Sequence, residues 1–466
     1  MQSKLILDAE QRILVDEMLS TSSGAYLIAS IMGEGKTVCT VEYMMATKPE
    51  TTLIICPLNT RVGWERTLRQ QGYEGKIVRI ESTPEGKAEY AHLAAGVPGV
   101  YLIGREYMAL SATTVAPKIK LDGTYTRGRE AVWSWKKVKP NLAVYDEIHA
   151  VQNRNATMSH VLRTLKADFK VGLSGTWAGN KFQGAWAPTR WLWPTVIDTS
   201  FWRWVAEYCT TEFDPFAGKK VTGELVPGAF VKDLPAYGRI ESTLTTPMVT
   251  EYRFVELSSA QRKAYRQMET DLIAWLDDHP IVADLPVTAR IRLRQITLGM
   301  PSFTEDGEIG FDVKCKSTKL EALKEILSDL EDEPVLILTD SQRFARVAVA
   351  RLGRNAVEWS GQVSAHAREG ILERFGKPGG PKYIVATIAA IGEGVDGLQF
   401  VCNNMVWLSR SENGLLNDQA SKRLHRRGQT KPVRSIEILA TDTLDENILS
   451  SLIEQRLTMR ASLRKG

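Results

Sequence analysis

Three polar segments, two of them set at the ends of apolar runs, constrain this chain more than anything else in it: Gly33-Glu-Gly-Lys-Thr37, Asp146-Glu-Ile-His149 and Gln419-Ala-Ser-Lys-Arg-Leu-His-Arg-Arg-Gly-Gln429. The first follows Ala25-Tyr-Leu-Ile28 and precedes a stretch, 38–45, that reads as a helix. A strand, a glycine turn and a helix N-terminus in succession aim backbone N–H groups and the positive helix end at a polyphosphate. Gly33 and Gly35 let the backbone approach, with Glu34 between them in the same loop. Lys36 is placed to reach the outer phosphate oxygens of ATP, and Thr37 to offer its hydroxyl to Mg²⁺. The common phosphate-loop pattern has glycine six positions before the lysine, and here that place is Ser30. Taken alone, the pentapeptide also reads as an ordinary glycine turn.

Asp146 and Glu147 follow the apolar run Leu142-Ala-Val-Tyr145, so both acids are expected at the C-terminal edge of a strand, where parallel sheets bind ligands. There Asp146 would hold Mg²⁺ through water, and Glu147 would orient and deprotonate an attacking water. His149 is placed to sense the γ-phosphate and touch the loop of the next strand. Read alone, these acids also suit a solvated helix start. In the third segment Arg423 and Arg426 lie three apart, on one face of an expected helix. Arginines brought in from elsewhere neutralise charge on a transferring phosphoryl group. The plainer alternative is a basic surface helix, since Lys422, Arg423, Arg426, Arg427, Lys431 and Arg434 have no acid among them.

With these segments in this order, the chain resembles the superfamily two helicases, in their Swi/Snf-like branch of DNA translocases. The resemblance extends to Leu53-Ile-Ile-Cys-Pro-Leu-Asn-Thr-Arg-Val-Gly-Trp64 and Gly172-Leu-Ser-Gly-Thr-Trp-Ala-Gly-Asn180, the latter with Trp177 where the family usually has Pro. Farther on it includes Ser317-Thr-Lys-Leu320, Val335-Leu-Ile-Leu-Thr-Asp340, Trp359-Ser-Gly361, 368–375, Ala386 to Leu398, Gly428-Gln-Thr430 and Thr443-Leu-Asp-Glu446. It covers nearly all of residues 1–455, with a gap in the middle. It implies that Gly394 and Asp396 face the nucleotide, and that His149, Ser174, Thr176 and Gln419 connect nucleotide state to lobe movement. It also implies DNA contacts at Asn59, Thr60, Arg61, Trp64, Asn180, Ser360, Gly361 and Thr387. Gln11 would read adenine, although Asp8-Ala-Glu-Gln11 also fits a helix capping box.

A chain of 466 residues suits more than one hydrophobic core. No apolar run approaches a membrane span, and the first 25 residues lack the apolar centre of a secretory signal. Five scattered cysteines without CxxC spacing argue for reduced thiols and against a structural zinc. A net charge of only +4 places any nucleic-acid grip on local patches. The expected location is the cytoplasm of a bacterial or viral-host setting, or the nucleus if the source is eukaryotic.

The expected fold is α/β, with two RecA-like parallel-sheet lobes in tandem and a helical insertion between them: a first lobe at 1–204, an insertion at 205–312 and a second lobe at 313–466. Strand-like apolar runs fall near 25–28, 52–56, 99–103, 142–145 and 170–173, then 335–339, 383–387, 404–408 and 433–439. Helical runs fall at 258–278 and 286–298. Within 117–139, seven basic residues interleave with Tyr125, Trp133 and Trp135; this suits either a strand-gripping hairpin or one packed by its tryptophans. Trp186, Trp191, Trp193, Trp202 and Trp204 read as core. The expected activity is a monomeric DNA-dependent ATPase moving on double-stranded or branched DNA. A strand-separating RNA or DNA helicase and an ATP-switched DNA clamp with little turnover are the alternatives.

Overall fold

The computed structural model describes residues 4–30, 33–112, 134–179, 181–215, 218–240, 246–276, 279–283, 285–303, 308–331, 333–392 and 397–462. By its internal contacts the chain divides into two compact units, the first formed by 1–243 with 457–466 and the second by 244–456.

The first unit is built on seven parallel strands: β1 (Ala25–Ile28), β2 (Thr51–Cys56), β3 (Ile77–Ile80), β4 (Gly99–Gly104), β5 (Leu142–Asp146), β6 (Phe169–Leu173) and the two-residue β7 (Tyr237–Gly238). Their order across the sheet is β3-β4-β2-β5-β6-β1-β7. β1, β2, β4 and β5 are buried along their whole length, as continuous apolar runs require when helices cover both faces of a parallel sheet. Register carries the functional consequence. Ile28 pairs with Leu173 and Leu173 with Asp146, so the C-terminal ends of β1, β6 and β5 are level, and the loops that follow them leave one edge together. Helices α1 (Ala9–Ser20), α2 (Lys36–Thr47) and α3 (Arg61–Gln70) supply the rest of the site.

The second unit holds six parallel strands: β8 (Met248–Val255), β9 (Val335–Thr339), β10 (Ala356–Trp359), β11 (Tyr383–Thr387), β12 (Asn404–Trp407) and β13 (Val433–Ala440), ordered β8-β13-β12-β9-β11-β10. Separate apolar clusters form on it: one around Leu323, Phe344 and Ile438, another around Trp359, Ile384 and Leu424. The two-lobe α/β expectation is therefore met.

The segment 205–312, expected as the insertion, contributes strands to both sheets. Its β7 joins the first sheet and its β8 the second, so it is shared between the units. The helix expected over 258–278 stops at Asp271, and Ile273–Leu276 pairs antiparallel with His279–Val282. Leu272, in the left-handed region at φ 58°, ends the helix, and β-favouring Ile273 and Trp275 follow. The helix at Pro286–Leu298 is as expected and packs with its predecessor in a cluster around Tyr265, Met268 and Ile296. All five cysteines are buried. Among the described residues, no helix is long and apolar enough to cross a membrane.

Candidate active site

The phosphate loop leaves β1 and turns into α2 at Gly35, the N-cap, with φ 78°; Gly33 has φ 91°. Both lie in the left-handed region that glycine enters without a steric cost. Gly35 also has no room for a side chain, since a Cβ there would sit 2.3 Å from Gln11 Nε2. Gln11 is buried against the loop. Its Oε1 accepts the Asp8 N–H at 3.2 Å, completing the capping box of α1, and its Nε2 donates to the Glu34 carbonyl at 3.1 Å. The capping-box reading of Gln11 is thus realised, and the same amide braces the phosphate loop. Glu34 is buried, and Thr37 is half-buried in the first turn of α2. Lys36 Nζ donates to the Ser30 carbonyl at 3.0 Å.

Asp146 closes β5 at the level of the loop's origin and is almost wholly buried. Burial raises its carboxyl well above the usual carboxylate range, and the charge of Glu147 adds to this; a bond from Trp64 and the nearby Lys36 ammonium oppose it. A desolvated carboxylate beside a second acid is a site that gains from a cation. Among the described residues no three His, Cys, Asp or Glu side chains converge as a metal cage. A carboxylate and a hydroxyl are hard-oxygen ligands of the kind Mg²⁺ takes, with waters and substrate oxygens as its other ligands.

Glu147 sits at φ 55°, a conformation that costs a non-glycine residue about 1 kcal/mol or more. That backbone turn brings its Oε2 to 3.1 Å from His149 Nδ1, which also lies 3.0 Å from Ser174 Oγ at the end of β6. Ser174 Oγ in turn accepts the Thr176 N–H at 3.1 Å. Glu147, His149, Ser174 and Thr176 thus form one chain of polar contacts, with His149 Nδ1 facing both Glu147 and Ser174, linking the loops after β5 and β6. A displaced Glu147 would be felt at Thr176.

Trp64 is a correction. Expected at the DNA, it is 2% exposed and donates its Nε1–H to Asp146 Oδ2 at 3.0 Å. A buried indole N–H needs an acceptor, and here the acceptor is Asp146, the acid expected to hold the metal. Trp64→Phe is expected to lower ATP turnover about tenfold and to raise the Mg²⁺ concentration needed for half-maximal rate, as loss of an outer partner of a metal ligand does. Steady-state ATPase across a Mg²⁺ titration checks this, and an unchanged Mg²⁺ requirement would refute it. Of its neighbours, Thr60 spends its hydroxyl on the Pro57 carbonyl. Arg61 pairs with Glu81 at 2.9 Å with only 14% of its side chain exposed. The Asn59 side chain, Asn180, Gly394 and Asp396 lie outside the described residues, as does the basic stretch 117–133.

In the second unit the helix expected to carry both arginines ends at Ser421, and Arg423 and Arg426 sit in the turns that follow. Ser421 Oγ bonds back to the Asp418 carbonyl, which weakens a helix, and Lys422 and Arg426, like charges four apart, disfavour its continuation. Arg423 is buried and donates to the Gly392 carbonyl, whereas Arg426 is half-buried. Gln419 is buried, and a Cβ at Gly392 would lie 3.4 Å from its side chain. Ser360, another expected DNA contact, is corrected too. It is fully buried and its hydroxyl accepts from Gln342 Nε2 at 3.0 Å, so it shapes the turn that leaves Gly361 exposed. Thr387, at the end of β11, is 9% exposed.

Trp186, Trp191, Trp193 and Trp204 are core, as expected. Trp202 is not: it is 45% exposed, with Arg154 and Lys219 within 6 Å of its ring. Trp135 is buried and its Nε1 donates to Ser111 Oγ at 3.3 Å, which is a packing role. Trp177 is fully buried, its ring 6.2 Å from Phe230 and 6.4 Å from Tyr237.

A family model, the SNF2-related domain, matches residues 11–297. Among similar proteins, an uncharacterized ATP-dependent helicase of Mycoplasma genitalium is 22% identical over 435 residues, covering 91% of this chain and 38% of its own length. The chromodomain-helicase-DNA-binding protein 1-like of Danio rerio is 23% identical over 449 residues, covering 93% of this chain and 41% of its own. The chain thus spans about two fifths of the length of these relatives. Among solved structures, the Sulfolobus solfataricus SWI2/SNF2 ATPase core in complex with dsDNA aligns over 98% of this chain and 93% of that one, at 18% identity and a TM-score of 0.42.

Proposed function

Because this chain belongs to the SNF2-related domain family, we propose that it is a DNA-dependent ATPase that moves on duplex or branched DNA and remodels forks, branches or protein–DNA complexes. The names its relatives carry, ATP-dependent helicase and helicase-DNA-binding protein, support an ATP-driven motor acting on nucleic acid. The observation that carries the reading is the chain Glu147–His149–Ser174–Thr176, rooted on strands level with the phosphate loop. A loop that only bound nucleotide would have no need to wire a half-buried acid to the next strand.

In this mechanism the N–H groups at the start of α2 and Lys36 hold the phosphates, and Gln11 braces the loop that cradles them. Mg²⁺ held by Thr37 and, through water, by Asp146 would supply positive charge to the phosphate oxygens. Glu147 accepts the proton of the attacking water, while His149 keeps that carboxylate aimed. Arg423 and Arg426, from the second unit, neutralise the charge that develops on the γ-phosphoryl group. Hydrolysis then relaxes the Glu147–Thr176 chain, which passes the change to the loop after β6.

ATPase assays with matched lengths of double-stranded DNA, single-stranded DNA and RNA test the reading, with triplex displacement run beside forked-duplex unwinding. The expected result is a rate that rises about tenfold or more with double-stranded DNA and little with RNA, together with triplex displacement. Stimulation by single-stranded RNA, or fork unwinding without triplex displacement, would replace the translocase with a strand-separating helicase. ATP-dependent DNA affinity with negligible turnover would replace it with a clamp.

A further inference from the structure

A large apolar ring on the outward side of a helix needs a reason, and Trp202 is such a ring. In the helix Phe201–Tyr208 the buried positions are Phe201, Trp204 and Val205, the inward stripe, and Trp202 stands one step off it. Cations surround it. The Arg154 guanidinium lies 4.0 Å from the centre of the Phe201 ring and 5.8 Å from that of Trp202, and Lys219 Nζ lies 5.9 Å from Trp202. Lys219 comes from the antiparallel hairpin of Cys209–Asp214 with Gly218–Glu224, where it pairs with Phe213. Directly opposed residues share one face of a hairpin, so Phe213, 79% exposed, adjoins Lys219 on the face that reaches Trp202.

More positive charge lies behind these rings. Arg163 donates through both Nη groups to the Arg154 carbonyl at 3.3 Å, and burial, then the charges of Arg190 and Arg154, press its guanidinium below the ordinary value. Among the described residues none of Arg154, Arg163, Arg190 and Lys219 forms an ion pair with an acid, and Asp198 pairs instead with Arg203 at 3.6 Å. Gathered cations without acids attract an anion. The rings narrow the choice. A cationic ligand is excluded, because Arg154 and Lys219 already stand at the ring that would bind it. A polyanion without flat groups would leave Trp202 and Phe213 unused. A nucleic-acid strand supplies phosphates for the cations and base faces for the rings. In a duplex those faces are stacked on one another, so the rings can meet only unpaired bases.

We propose that Trp202, Phe213, Arg154 and Lys219 form a binding surface for an unpaired DNA strand at a fork or branch. The proposal rests on the DNA-motor reading and narrows it, since a surface of this kind favours branched DNA over a blunt duplex. Arg154 follows His149 by five residues, so the loop that begins at Glu147 and His149 goes on to supply a strand contact.

The test uses the full chain and two labelled DNA probes, a blunt duplex and the same duplex carrying a single-stranded oligothymidine tail. Equilibrium binding is measured across a salt series for Trp202→Ala, Trp202→Phe, Phe213→Ala, Arg154→Gln and Lys219→Gln, beside the thermal midpoint and the DNA-free ATPase rate. The wild type is expected to bind the tailed probe more tightly. Trp202→Ala should weaken that binding about tenfold and leave the blunt duplex within about twofold of wild type. Phe213→Ala, which removes an exposed ring and cannot empty the core, should act the same way. Trp202→Phe retains most of the affinity, because a ring remains to stack. Arg154→Gln and Lys219→Gln should weaken the tailed probe about fivefold and flatten its salt dependence. Wild-type affinity for the tailed probe in both Trp202→Ala and Phe213→Ala would overturn the proposal and make the cluster a packing feature. Equal losses on both probes would overturn it in favour of a duplex backbone surface. Each of these leaves the motor reading standing, whereas a wild type that binds neither probe would remove the DNA reading itself, and this proposal with it.

Discussion

Glu147→Gln will bind ATP about as well as the wild type and hydrolyse it about 10³-fold more slowly. The amide has the shape of the carboxylate and can still accept from His149 Nδ1, 3.1 Å away in the native chain, so the φ 55° turn and the wiring to Ser174 should survive. What is lost is an oxygen able to take a proton from water. The substitution also removes the negative charge that helps push the Asp146 carboxyl upward, so metal and nucleotide binding should not weaken. Equilibrium binding of a fluorescent ATP analogue, paired with single-turnover hydrolysis at saturating DNA, separates the two effects. Preserved turnover would take Glu147 out of the chemistry, and loss of nucleotide binding would make it a structural support instead.

The parts of this site that are legible in sequence are those the local backbone dictates. Glycines at 33 and 35 are needed because the chain passes through φ 91° and φ 78° there, and the acids of 146–147 announce themselves by ending an apolar run that can only be an interior strand. Edge strands are less legible. Ile77–Ile80 carries Arg79 outward and Met248–Val255 is mostly exposed, so neither has the continuous apolar run that marks a central strand. Contacts distant in sequence are not legible at all. Trp64 meets Asp146 across 82 positions and Ser30 meets Ile240 across 210. Trp64 and Ser360 resembled surface contacts because their segments do, whereas the fold turns both side chains inward. Residue type offered one hint. A tryptophan leading an amphipathic helix is more often interior than exposed, and once buried its N–H must find an acceptor.

Arg426→Ala is expected to cost about 10³-fold in DNA-stimulated turnover, the range found when a charge-neutralising arginine is removed from phosphoryl transfer. The structure separates the two arginines that the sequence treats as a pair. Arg423 is buried and bonded to the Gly392 carbonyl, so it holds the end of the helix that precedes 393–396. Its replacement should lower the thermal midpoint as well as the rate. Arg426 is half-buried in the turn before Gly428, whose φ of 91° ends the motif, so its loss should leave the fold nearly intact. Arg426→Lys should restore little, because an ammonium cannot offer the planar pair of donors that matches two phosphate oxygens. Kinetics discriminate: a group that acts only as the phosphoryl group transfers lowers kcat with KM for ATP nearly constant, whereas one that binds ground-state nucleotide raises KM. Partial recovery of Arg426→Ala by millimolar guanidinium would tie the defect to the missing cation itself. Near wild-type turnover in Arg426→Ala would mean that the basic turn serves as a surface for a polyanion, and the proposed hydrolytic site would lose its second half.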